Sequence, residues 1–218
     1  MRRGLVSEVF ATESGLERFG AMLTDVPVHL VTERAAKALS DTVTPVGLVA
    51  VCSVPEVTLD DVVAGAPRLV AVAVEISEPG NAGTLIRIAD AMGADAVVLA
   101  GRSVDPYNGK CLRASAGSIF SIPVVSEGDA AQAVTALSGA GLQVLATTVD
   151  GEVSLDEADL SGPTAWLFGP EAHGLPRALA RTATRRVHIP MRGSAESLNV
   201  ASAAAICLYL SARAHRVS

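Results

Sequence analysis

Short aliphatic runs recur along the chain, separated by stretches in which apolar residues return every third or fourth position. The first pattern reads as buried strand, the second as helix with one apolar face. Up to residue 52, the runs "LVSEVF", "PVHLV" and "VGLVAVC" alternate with the helical stretches "SGLERFGAML" and "TERAAKALSD". Ser14, with Glu17 three residues on, and Thr32 are placed to cap those helices. Residues 1–52 thus form a small α/β unit. Residues 53–67 hold prolines and two adjacent acids between apolar blocks, and read as a linker.

From Arg68 the rhythm becomes regular. "RLVAVAVEI", "DAVVLA", "IPVV", "LQVLATTV", "TAWLFG" and "RRVHIPM" read as six strands. Helical patterns lie between them, among them "NAGTLIRIADAM", stopped by Gly93, "GKCLRASAGSIF" and "LPRALARTA". "SLNVASAAAICLYLSARAH" closes the chain as a long, nearly all-apolar helix. Such alternation predicts an α/β fold over residues 68–218, a six-stranded parallel sheet with helices on both faces.

Half of the 218 residues are hydrophobic, 18% are charged and 3% aromatic, which suits an aliphatic parallel sheet and excludes a disordered chain. No apolar run reaches the roughly 18 residues of a membrane span and no secretory leader precedes the first strand, so a cytoplasmic protein is expected. Cys52, Cys111 and Cys207 lack metal-ligand spacing and read as small buried hydrophobes; no metal is expected. The net charge of −6 speaks mildly against nucleic acid as partner. Footprints are local, however, and Arg177, Arg181, Arg185, Arg186 and Arg192 cluster late in the chain. A solvated helix face accounts for that cluster equally well.

Ligands of open parallel sheets bind beyond the carboxyl ends of the strands. Three glycine-bearing turns fall there. In "EPGNAGTLIR", Asn81 and Gly83 open a helix that carries Arg87, an arrangement able to hold an anion or to be an Asn cap with a surface arginine. In "FGPEAHGL", Glu171 stands between Gly169 and Gly174, where a ligand can approach the backbone; His173 has no nearby partner for a metal. In "IPMRGSAESLN", Ser197 and Asn199 lead into the last helix, as caps or as polar groups aimed at a site. The G-x-G-x-x-G spacing of a dinucleotide site is absent, as is a phosphate-binding P-loop.

Taken together, these turns resemble the SpoU (TrmH-like) family of RNA 2'-O-ribose methyltransferases. The resemblance rests on N-x-G-x-x-x-R at Asn81, Gly83 and Arg87, F-G-x-E-x-x-G-L at Phe168 to Leu175, and I-P-M-x-G-S-x-x-S-L-N-V at Ile189 to Val200. It covers residues 68–214 closely and residues 5–51 more loosely, as the family's small L30e-like RNA-binding domain. The family's opening segment before "RGLVSEVF" is missing, so that domain reads as N-terminally truncated. The second turn also departs, with Pro170 and Ala172 flanking Glu171 where relatives have Asn and Gly.

The resemblance implies a C-terminal deep trefoil knot, which general rules of chain threading would not predict. It further implies S-adenosylmethionine as cofactor, S-adenosylhomocysteine as product and a homodimer. By position, Thr147, Thr148, Gly169, Ile189, Met191 and Leu198 would hold the cofactor. Relatives are proposed to use the motif arginine as base, but a guanidinium is effectively always protonated. Arg87 is therefore expected to stabilise the 2'-oxyanion and grip a phosphate. Glu171 and Asn81 would orient it, while Ser197 and Asn199 position the ribose. Arg113, Arg177 and Arg192 would contact RNA, ribosomal rather than transfer RNA. Transfer RNA methylation and a catalytically silent RNA-binding protein are the alternatives.

Overall fold

The computed structural model describes residues 4–170 and 172–216, which divide into a unit ending at Glu56 and a unit beginning at Val57. The first unit runs β1 (Val6–Ala11), α1 (Glu13–Phe19), β2 (Val28–Leu30), α2 (Glu33–Leu39) and β3 (Leu48–Cys52). β1 is the centre of a three-stranded sheet, parallel to β2 and antiparallel to β3. Thr32 caps α2 as expected, its hydroxyl accepting from the Ala35 N–H. For α1 the cap is Thr12, not Ser14: Thr12 is extended, and its Oγ1 accepts from the Gly15 N–H at 3.1 Å. Cys52 is exposed rather than buried, because it ends an edge strand.

Within the stretch read as linker, Leu59–Ala64 form a further helix, α3. Thr58 Oγ1 accepts from the Asp61 N–H and the Asp61 carboxylate accepts from the Thr58 N–H, a closed capping box. Leu59 and Val62 are buried in the second unit's core. One and a half helical turns flanked by prolines give too little periodicity to register against the linker composition.

The second unit continues with β4 (Leu69–Val74), α4 (Pro79–Ala91), β5 (Ala96–Ala100), α5 (Gly109–Ser115) and β6 (Val124–Glu127). Then come α6 (Ala130–Gly139), β7 (Gln143–Thr147), β8 (Val153–Ser154), β9 (Thr164–Phe168), α7 (Arg177–Ala180), β10 (Arg185–His188) and α8 (Val200–His215). The sheet has seven strands, not six, in the order β6-β5-β4-β9-β7-β10-β8, and every pairing is parallel. The extra strand, β8, is two residues long and carries no readable period. β4, β5 and β9 are buried at every position, as strands covered on both faces must be.

Alternate residues of β4 divide the core. Leu69, Ala71 and Ala73 meet α4, α5 and α8 on one face, while Val70, Val72 and Val74 meet α3, α6 and α7 on the other. The motif glycine Gly83 explains how closely α4 meets α5: a Cβ there would lie 2.7 Å from Ala114 Cβ and closer still to the Cys111 carbonyl. The final helix is fastened by a buried polar contact, Trp166 Nε1 donating to Ser211 Oγ at 2.9 Å. Ser211→Ala leaves that indole donor without a partner and is expected to cost about 1–3 kcal/mol. Urea unfolding followed through the single tryptophan measures it; an unchanged midpoint would refute the fastening role.

Candidate functional site

The tips of β7, β9 and β10 open into a cavity of about 680 Å³. Its walls are the turn after β7 (Thr147 to Asp150), the turn after β9 (Phe168 to Leu175, of which Glu171 lies outside the described residues), and the stretch from Val187 to Val200. All six residues that the motifs nominated for cofactor contact, Thr147, Thr148, Gly169, Ile189, Met191 and Leu198, line this one space. Ser197 lines it too, and Arg177 stands in its wall.

Two features shape the cavity for a ligand. Thr148 Oγ1, on the wall, is the one buried side-chain polar atom without a hydrogen-bond partner among the described residues. A buried hydroxyl left alone is costly, so a wall that carries one suits a polar guest. Gly169 permits the second turn to fold back on itself. Its missing Cβ would meet Leu175 N at 2.5 Å and Gly174 C at 2.7 Å, both backbone atoms. Gly174 closes the same turn, its N–H donating to the Pro170 carbonyl at 2.8 Å, with φ at +65°.

A side-chain hydrogen bond joins the first turn to the stretch that leads into α8. Asn199 Nδ2 donates to Asn81 Oδ1 at 3.1 Å, joining residues 118 positions apart. Asn199 is also the cap of α8, its Oδ1 accepting from the N–H groups of Ala201 and Ser202. The cap reading of that asparagine therefore holds, while Asn199 is not among the residues that line the cavity. Asn81 is not the cap of α4. That role belongs to Glu78, whose carboxylate accepts from the Gly80 N–H and pairs with Lys110 Nζ at 2.6 Å. Hydrogen bonding from Lys110, then from Gly80, holds the Glu78 carboxyl below its usual range.

Arg87 is not brought into the cavity of its own chain. Six residues at about 100° each carry it some 120° around α4 from Asn81. It is exposed and makes no ion pair among the described residues. Arg113, on α5, and Arg192, in the loop before α8, are exposed as well.

The sequence motifs missed Asp150, Arg181, Arg186 and Glu196, which all line the cavity. Arg186 is doubly held: Nε lies 2.8 Å from Glu152 Oε2 and Nη1 lies 3.4 Å from Asp150 Oδ2. The backbone N–H of Arg186 leads the hydrogen bonds that keep the Glu152 carboxyl below its usual value. The signal available was two acids one residue apart after a strand, too common to single out. Cysteine chemistry has no footing here. Burial pushes Cys111 up to about 11, with Asp105 adding to it, and Cys207 up to about 12, so neither is a thiolate near neutrality. Among the described residues no three His, Cys, Asp or Glu gather as a metal site.

Residues 68–209 match the model of the SpoU rRNA Methylase family. Over 186 residues the chain is 38% identical to RlmP of Bacillus subtilis (strain 168), a 23S rRNA (guanosine(2553)-2'-O)-methyltransferase, covering 85% of this chain and 73% of that protein. It is 40% identical over 142 residues to a 23S rRNA (uridine(2479)-2'-O)-methyltransferase of Streptomyces viridochromogenes, covering 63% of this chain and 50% of that relative. Among solved structures, the SpoU methyltransferase AviRb from Streptomyces viridochromogenes, in complex with the cofactor AdoMet, superposes with a TM-score of 0.85 at 30% identity. That likeness covers 99% of this chain and 85% of AviRb.

Proposed function

This chain belongs to the SpoU rRNA methylase family, and on that premise we propose that it transfers a methyl group from S-adenosylmethionine to a ribose 2'-hydroxyl of ribosomal RNA. One observation carries the reading. Residues from three separated turns converge on a single cavity whose wall holds an unpartnered hydroxyl. Thr147, Thr148, Gly169, Ile189, Met191 and Leu198 would hold the cofactor there. When bound, it supplies a methyl group already activated by a sulfonium charge.

The chain's own residues must then align the 2'-oxygen and stabilise the charge it develops. The Arg87 guanidinium serves as the electrostatic partner of that oxyanion and of a neighbouring phosphate. Ser197 and Asn199 position the ribose, with Asn81 held by Asn199 at the rim. Glu171 is assigned a share in orienting Arg87. Because Arg87 lies outside its own cavity, we place it at the cavity of a second copy in a homodimer. Exposed Ile206 and Tyr209, three residues apart on α8, offer an apolar face for such a partner.

Arg113, Arg177 and Arg192 are assigned to RNA phosphates, where local positive charge offsets the chain's net negative charge. The small N-terminal unit, proposed to be L30e-like, would select the RNA by shape. A trefoil knot is proposed for the C-terminal unit on the strength of the family membership. No helix among the described residues is long and apolar enough to cross a membrane; a cytoplasmic location is proposed from the ribosomal RNA substrate.

Tritium transfer from labelled S-adenosylmethionine into bulk ribosomal RNA, with transfer RNA alongside, tests the proposal. Label is expected in ribosomal RNA, as 2'-O-methylribose on digestion. Label confined to transfer RNA would redirect the substrate, and no label despite cofactor binding would mark a silent member of the fold.

A further inference from the structure

The loop between β7 and β8, residues 148–152, supplies one cavity wall, and its fastening lies outside every motif described above. β8 pairs with β10 only at Val187 and His188, so the Arg186 N–H has no strand beside it. The Glu152 side chain takes that place. Its Oε1 accepts from the Arg186 N–H at 2.9 Å, and its Oε2 accepts from Arg186 Nε at 2.8 Å. The same guanidinium reaches forward to Asp150 Oδ2. Between the two acids Gly151 lies flat on β10. A Cβ there would meet His188 N and Val187 C at 2.6 Å, and its carbonyl oxygen accepts from His188 Nδ1 at 2.9 Å.

We infer that Glu152 and Arg186 are positioning residues for the cofactor: by clamping the 148–152 loop onto β10 they set the wall formed by Thr148, Val149 and Asp150. The inference rests on the reading of the cavity as the cofactor site. Neither residue needs to touch the reacting atoms. Glu152 acts through the loop, and Arg186 is the post to which the loop is tied. The ties are charge-assisted and directional, the kind that fixes geometry rather than merely adding attraction.

Calorimetry of the full chain with S-adenosylhomocysteine and with S-adenosylmethionine reads this directly. Glu152→Ala is expected to weaken both ligands equally, by roughly tenfold, the scale of one lost charge-assisted hydrogen bond. Turnover at saturating cofactor and KM for RNA should stay at the wild-type value. Glu152→Gln keeps an oxygen for the Arg186 N–H and should recover most of the loss. Wild-type affinity in Glu152→Ala overturns the inference. So does a loss falling mainly on S-adenosylmethionine, which would mean charge screening of the sulfonium, or a loss in turnover alone. If Glu152→Ala does not fold, Arg186→Lys, which keeps the charge and loses the Nε donor, is expected to weaken both ligands equally, and wild-type affinity there overturns the inference. Absence of binding by the wild-type chain would instead remove the cavity's assignment, a different result from an intact site indifferent to Glu152.

Discussion

Replacing Arg87 with alanine is expected to slow methyl transfer by about 10²–10³-fold, the usual cost of removing a group aimed at a developing oxyanion. Cofactor affinity should hardly move, because Arg87 is assigned to the 2'-oxyanion and the phosphate and is none of the residues assigned to the cofactor. The side chain is exposed and makes no ion pair among the described residues, so the substitution removes no salt bridge there. Arg87→Lys keeps a charge but loses the planar fork that grips a phosphate and an alkoxide together, and should recover only part of the rate. Single-turnover label transfer, beside calorimetry with S-adenosylhomocysteine, separates the two quantities. Near-normal turnover in Arg87→Ala would remove the residue from the mechanism. A lost cofactor affinity with intact chemistry would move it into the binding wall.

The second large effect is expected at Gly169. An added Cβ would sit 2.5 Å from Leu175 N and 2.7 Å from Gly174 C, and neither backbone atom can swing aside as a side-chain end can. Gly169→Ala must therefore push apart the two limbs of the turn that walls the cavity. Overpacking of this kind costs about 1–3 kcal/mol of stability. Displacement of the wall should cost a further tenfold or so in affinity for S-adenosylhomocysteine. Gly139, near the end of α6, is the control. Nothing lies within 4 Å of its missing Cβ, so Gly139→Ala should leave affinity unchanged and stability equal or slightly higher. Equal behaviour of the two variants would show that the second turn tolerates widening.

Much of the sheet was legible because its signal is local. The aliphatic runs behind β4, β5 and β9 are buried on both faces, and no other element makes such runs so short. Thr32 announced α2 because a cap is read from its next three residues. What failed was either too short or too distant. β8 has two residues, and α3 lies among prolines. The count of strands therefore fell one short, and a helix was taken for a connection.

The site divides along the same line. Each turn could be placed at a strand tip from pattern alone, yet nothing in pattern says that the turns after β7, β9 and β10 share a space. The family resemblance supplied that grouping, and the cavity gathers the six nominated residues. The Asn81–Asn199 bond and the Glu152–Arg186 pair span long stretches of chain, and pairings of that kind leave no periodic trace. The resemblance assigns Arg87 to the site through a motif in which it follows Asn81 by six residues. The pitch of α4 turns it to another face from Asn81, and it does not line the cavity of its own chain.

The closing helix packs on α4 and on β9, and its first residues complete the cavity rim. A copy shortened before Val200 keeps every strand but loses the lining that Val200 and Ala203 supply, and is expected to bind S-adenosylhomocysteine weakly in calorimetry.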